Sequence, residues 1–192
     1  MSQDITKRPQ TTGEEIANTI SHGIGALLAA VGGIPLVIKG VMAGSAKAGA
    51  SLTFYAITLV LLYTASAVYH GVRNPELKRV LRVMDHCSIF LLILGTYVPL
   101  SLLVVGGRTG WALFLTNTAL AVVGITLNAI SLTRFDKISL VLYALMGWLV
   151  VLALRTILQV LAPAGVALLV AGGVAYTAGI YFYKSQRKYS HF

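Results

Sequence analysis

Apolar residues in this chain neither alternate with polar ones nor follow the spacing of a half-exposed helix. They come in long runs at about 22–42, 50–70, 85–105, 111–131, 138–158 and 163–183. Each run is roughly 20 residues long, the length an α-helix needs to cross the hydrocarbon core of a bilayer. No run has the period of two that marks a transmembrane β-barrel. The predicted fold is an all-α integral membrane protein with six transmembrane helices. Residues 1–21 form an N-terminal segment, 22–183 the helical domain and 184–192 a short tail, which leaves no length for a second soluble domain.

Local signals refine two helix starts. Thr12 and Glu15 read as a T-x-x-E capping box, so a helix is predicted to start ahead of the first apolar run. Asn74-Pro75-Glu76 reads as N-cap, first helical residue and acidic first turn. The third helix is therefore predicted to begin near Pro75 and to enter the membrane near Met84. The N-terminal segment lacks the short apolar core and cleavage site of a signal peptide.

Composition agrees with this pattern. Hydrophobic residues make up 57% of the 192 and charged residues 11%, with a mean hydropathy of +0.81. A soluble domain carries about 25% charged residues, so a soluble globular domain and a disordered chain are both excluded. The net charge of +9 could suggest a nucleic-acid partner. In so apolar a chain, Lys- and Arg-rich cytoplasmic loops account for it better. The single cysteine, Cys87, permits no intramolecular disulfide and lies in an apolar run, where it reads as a small packing residue.

The positions of Lys and Arg set the orientation. Eleven fall on the side of the N-terminus, the second and fourth loops and the tail, and four on the other side. The N-terminus and the tail are therefore expected in the cytoplasm of a multi-pass cell-membrane protein. All four histidines and all six acidic residues fall on that same half, although neither entered the count.

Polar groups inside membrane spans are costly, so their placement is informative. Glu15, Asn18 and His22 share one face at the start of the first helix, at i, i+3 and i+7. Ser66 and His70 share a face at the end of the second, Asp85 and His86 stand at the entry of the third, and His191 lies in the tail. Their agreement predicts one convergent site open to the cytoplasm or inner leaflet. Neutral imidazoles are good Zn²⁺ ligands, catalytic zinc takes three protein ligands plus water, and a nearby carboxylate can deprotonate that water. Plainer readings stand beside these. His22 and His86 can be interfacial residues, Asp85 can pair with Arg82, and the Glu15 stripe can bond neighbouring loops. Asn117 and Asn128 read as interhelical hydrogen-bond partners.

The segments EEIANTISHGIG at 14–25, SAVYH at 66–70, MDHCSIFLLILGTYVP at 84–99, YALMGW at 143–148 and the final YSHF resemble the hemolysin III family. That family is the bacterial branch of the progestin and adipoQ receptor superfamily. The resemblance implies a seven-helix bundle with a cytoplasmic N-terminus and a zinc site on the cytoplasmic side. Carried over, His70 is the first metal ligand, Ser66 and Asp85 are its polar and catalytic partners, and His191 opens an H-x3-H motif. The sequence ends one residue after His191, without the second His of that motif or a seventh helix. Six helices and weakened or absent zinc binding are therefore expected. The open helix position would admit lipid or a second copy of the chain.

Three functions follow as expectations. The first is a zinc-dependent hydrolase of a membrane-lipid amide or ester, with Asp85 as base. The second is a non-enzymatic sensor or modulator of membrane properties. The third is a cytolytic, hemolysin-like protein, although the uniformly apolar spans argue against a wide pore.

Overall fold

A computed structural model describes residues 10–184, and side chains as far as residue 182. The described residues are helical throughout, joined by short turns, and contain no strand. The helices are α1 (Thr12–Met42), α2 (Ala46–Gly71), α3 (Pro75–Pro99), α4 (Gly107–Ile130), α5 (Leu132–Trp148), α6 (Leu154–Val160) and α7 (Pro163–Lys184). A π-helical stretch, Leu100–Val105, prolongs α3, and a 3₁₀ stretch, Leu149–Ala153, joins α5 to α6. Among the described residues six helical units are thus long and apolar enough to cross a membrane, the third and fifth being composite.

Caps explain the ends. Asn74 Oδ1 accepts from the amides of Glu76 and Leu77, both at 3.0 Å, ahead of Pro75, so α3 starts where the sequence predicts. The α1 box differs by one residue. Thr11, not Thr12, is the N-cap, and its amide donates to Glu14 Oε2 at 2.6 Å. Two overlapping T-x-x-E pairs compete here, and Glu15 is engaged elsewhere. Gly106 and Gly107, at φ of 63° and 54°, turn the chain from the π stretch into α4, a left-handed conformation open to glycine.

Neighbours in sequence pack side by side, α1 on α2, α2 on α3, α3 on α4 and α4 on α5. Because the connections are short, each pair is antiparallel. Close approach between α1 and α2 rests on small residues: a Cβ on Gly33 would stand 3.3 Å from the Ala56 methyl. The core is centred on α3, where Phe90, Ile93, Leu94, Tyr97 and Val98 pack with Ala121, Leu142 and Met146. Outward faces carry large exposed apolar side chains such as Leu27, Leu28, Val31, Leu152 and Leu168, the surface a bilayer covers.

The composite fifth span has a visible cause. Val150 N donates to Tyr97 Oη at 2.7 Å, and Tyr97 Oη donates to Gly147 O at 2.9 Å. Asn117 Nδ2 donates to Met146 O at 3.3 Å. Side chains from α3 and α4 thus satisfy backbone groups that the break frees, which a helix at membrane depth requires. Asn117 and Asn128 act as the interhelical partners expected of them. Asn128 Oδ1 accepts from Ser139 Oγ at 2.6 Å, and Asn128 Nδ2 donates to Tyr143 Oη at 3.4 Å.

Candidate functional site

The Lys- and Arg-rich end of the bundle gathers polar side chains from α1, α2 and α3. Helical spacing selects them. Glu15 and His22 are seven residues apart on α1, Ser66 and His70 four apart on α2, and Lys78 and Asp85 seven apart on α3, so each pair shares a face.

Glu15 is the hub of one half. Its Oε2 lies 2.7 Å from His70 Nδ1, and its Oε1 lies 2.7 Å from Lys78 Nζ. One carboxylate therefore ties three helices together. Lys78 also sits over the Tyr69 ring, 5.2 Å from its centre, and the Tyr69 and His70 rings approach to 4.6 Å. The His70 side chain is 10% exposed.

Ser66 is the hub of the other half. His22 Nδ1 is hydrogen-bonded to Ser66 Oγ, and the same hydroxyl interacts with the Asp85 carboxylate. The His22 and His70 rings meet edge to face, 5.8 Å between centres, which joins the halves. His86 Nδ1 donates to Arg82 O at 2.9 Å and stands 3.4 Å from Asp85 Oδ2.

The structure thus brings together Glu15, His22, Ser66, His70 and Asp85. It corrects the reading of the α1 stripe as a partner of neighbouring loops. Glu15 and His22 face α2 and α3, because the close packing of α1 on α2 turns that stripe inward. Asp85 pairs with His86, one residue along its own helix, rather than with Arg82. Asn18 is half-buried, and its carbonyl accepts from Ser21 Oγ at 3.1 Å. His191 lies outside the described residues. Lys78 was legible only as a topology-setting charge, although its i, i+7 spacing to Asp85 marks the same face. The thiol of Cys87 is half-buried, 3.8 Å from Ile125 O.

Chemically, a carboxylate on Nδ1 leaves Nε2 of a neutral imidazole as the nitrogen with a lone pair, the arrangement found behind many metal-ligating histidines. His70 has that donor chemistry. Among the described residues, however, no three His, Cys, Asp or Glu side chains are grouped so as to hold a metal ion. They do not form a zinc site by themselves. Ser66, 2% exposed, is placed to connect His22 with Asp85 rather than to serve as a free nucleophile.

Comparison with known proteins agrees in scale with the fold. The family model described as "Haemolysin-III related" matches residues 10–190. The chain is 37% identical over 183 residues to "Hemolysin-3" of Bacillus cereus, covering 95% of this chain and 84% of that protein. It is also 37% identical over 173 residues to "Hemolysin-3 homolog" of Bacillus subtilis (strain 168), covering 90% and 81%. No solved structure gives a significant match. With six membrane-length helices and a family match along almost its whole length, the chain belongs to the haemolysin-III related family of multi-pass membrane proteins.

Proposed function

We propose that the polar site on α1, α2 and α3 hydrolyses an amide or ester bond of a membrane lipid. The observation that carries this reading is the pairing of His70 with Glu15 at 2.7 Å, beside a Ser66 hydroxyl shared by His22 and Asp85. Metal-free residues alone do part of the work. Asp85 accepts a proton from the water that attacks the carbonyl and returns it to the amine or alcohol that leaves as the C–N or C–O bond breaks. Ser66 orients that carboxylate, and Glu15 fixes the His70 ring. Exposed apolar side chains such as Leu27, Leu28 and Val31 on α1 give a lipid substrate access to the bundle from within the bilayer. In this reading His70 Nε2 would be one ligand of a zinc ion, with His191, which lies outside the described residues, as the second that the sequence offers. When bound, it supplies a polarised carbonyl and a more acidic water.

A second reading has its own support. Most polar groups in the site already have partners, and Ser66 is buried, as expected of a latch in a non-enzymatic sensor or modulator of membrane properties. Purified protein in nanodiscs separates the two. On the hydrolase reading, wild type retains zinc after dialysis against a weak chelator and cleaves members of a panel of amide- and ester-linked lipids. His70→Ala loses the metal, and Asp85→Ala loses cleavage with its melting temperature kept. Zinc retained equally by His70→Ala, or cleavage undiminished in Asp85→Ala, overturns the assignment. A zinc-loaded wild type that cleaves nothing in the panel selects the latch.

A further inference from the structure

Glu15 was expected only as part of a polar stripe, yet it has the most informative position in the site. Its two carboxylate oxygens are divided between two helices. Oε1 meets the Lys78 ammonium and Oε2 meets His70 Nδ1, each at 2.7 Å. We propose that Glu15 is a positioning residue that fixes the His70 tautomer, taking the Nδ1 proton in a hydrogen bond and leaving Nε2 as the lone-pair nitrogen.

Three observations carry this. First, the carboxylate bears only acceptors, so the contact at 2.7 Å requires the proton on Nδ1. Second, Lys78 already balances the carboxylate charge, so His70 needs to contribute a hydrogen bond and not a counter-charge. Lys78 is itself fixed, over the Tyr69 ring and with Nζ 3.4 Å from Val72 O, so Glu15 cannot swing away without losing both helices. Third, the other histidines are tied differently. His22 meets a hydroxyl, which can donate or accept, and His86 meets its own helix backbone. His70 is the one histidine among the described residues that a carboxylate from another helix orients. The inference rests on the proposed role of His70 only for its consequence, since a fixed Nε2 lone pair is what a metal ligand or a base needs.

The test reads the tautomer directly. Full-length protein labelled with ¹⁵N-histidine is reconstituted in nanodiscs, and the His70 signals are identified by their absence in His70→Ala. Wild type is expected to show a protonated Nδ1 and an unprotonated Nε2. Glu15→Gln keeps the shape, but an amide can present either its oxygen or its nitrogen to Nδ1, so both tautomers should appear. Glu15→Ala should lose the preference altogether. If Glu15→Ala fails to fold, the isosteric Glu15→Gln decides. A wild-type His70 protonated on Nε2, or an unchanged tautomer in a folded Glu15→Gln, overturns the proposal. A merely structural ion pair would change melting without changing the tautomer. Wild-type protein that shows the expected tautomer but binds no zinc sinks the metal reading and leaves the role of Glu15 standing.

Discussion

The end of the bundle where α1, α2 and α3 meet, and the middle where α5 gives way to its 3₁₀ stretch, both set polar groups between apolar helices, by opposite means. At the end, side chains bond side chains, and several are ionisable: Glu15, His22, His70, Lys78 and Asp85. In the middle, neutral side chains bond the backbone. Tyr97 bridges Gly147 O and Val150 N, and Asn117 holds Met146 O. The middle needs its partners because freed peptide groups at membrane depth have no water to turn to. The end has no such need, since an unbroken helix satisfies its own backbone. Its ionisable groups are an added cost, and a cost without a structural debt behind it is the better sign of function. Tyr143 Oη, which accepts from Asn128 Nδ2, links α5 to the end of the bundle by donating to His86 O at 2.9 Å.

That contrast can be broken by substitutions on each side. The largest stability loss is expected at Tyr97→Phe, which strands a carbonyl and an amide together. Unsatisfied buried groups cost about 1–3 kcal/mol, and the loss should appear as a lower melting temperature in detergent with the His70 NMR signals unchanged. A near wild-type melt would show that the break heals into regular helix by itself. Next comes Gly124→Ala, where a new Cβ would run into the Phe90 ring. Overpacking of this kind costs about 1–3 kcal/mol, softened here by any freedom of the ring, and thermal unfolding measures it. Ser66→Ala should cost less, about 1 kcal/mol for a side-chain hydrogen bond, while uncoupling His22 from Asp85. If its main effect is on melting and not on lipid cleavage, the end of the bundle is a latch like the middle. Lys78→Met should lie at or below about 1 kcal/mol, as partly exposed ion pairs do. Asn117→Leu is expected to be the mildest. It strands the Met146 carbonyl by removing a long 3.3 Å bond, but it also removes a buried Oδ1 that has no partner among the described residues, so loss and gain offset each other.

Much of the fold could be read from the chain because a bilayer imposes a length. Runs of about 20 apolar residues admit one interpretation, and Asn74-Pro75 marked the start of α3 to the residue. The composite fifth span was not legible. No proline lies within Leu149–Ala153, and that stretch is set by the reach of Tyr97 from another helix, a tertiary fact without a local signature. Of the site, helical spacing gave the pairs within each helix. Pairing between helices is not available to it, so the bond between His22 and Ser66 and the place of Lys78 on Glu15 come from the fold alone. The overlap of Thr11-x-x-Glu14 with Thr12-x-x-Glu15 shows the same limit. Two boxes fit the pattern equally, and contacts with His70 and Lys78 decide which glutamate is left for the cap.

The close fit of α1 on α2, with Gly33 against Ala56, also bears on how the chain enters the bilayer during synthesis. These two helices are made before α3, and the bonds from Glu15 to His70 and from His22 to Ser66 both lie between them. A hairpin that inserts as one piece can carry its costly groups already matched, before α3 is made. Lys78 and Asp85 then arrive as later additions to a pre-formed half-site. The first two helices thus match part of their polar face to each other, and α3 completes it through Lys78 on Glu15 and Asp85 beside Ser66.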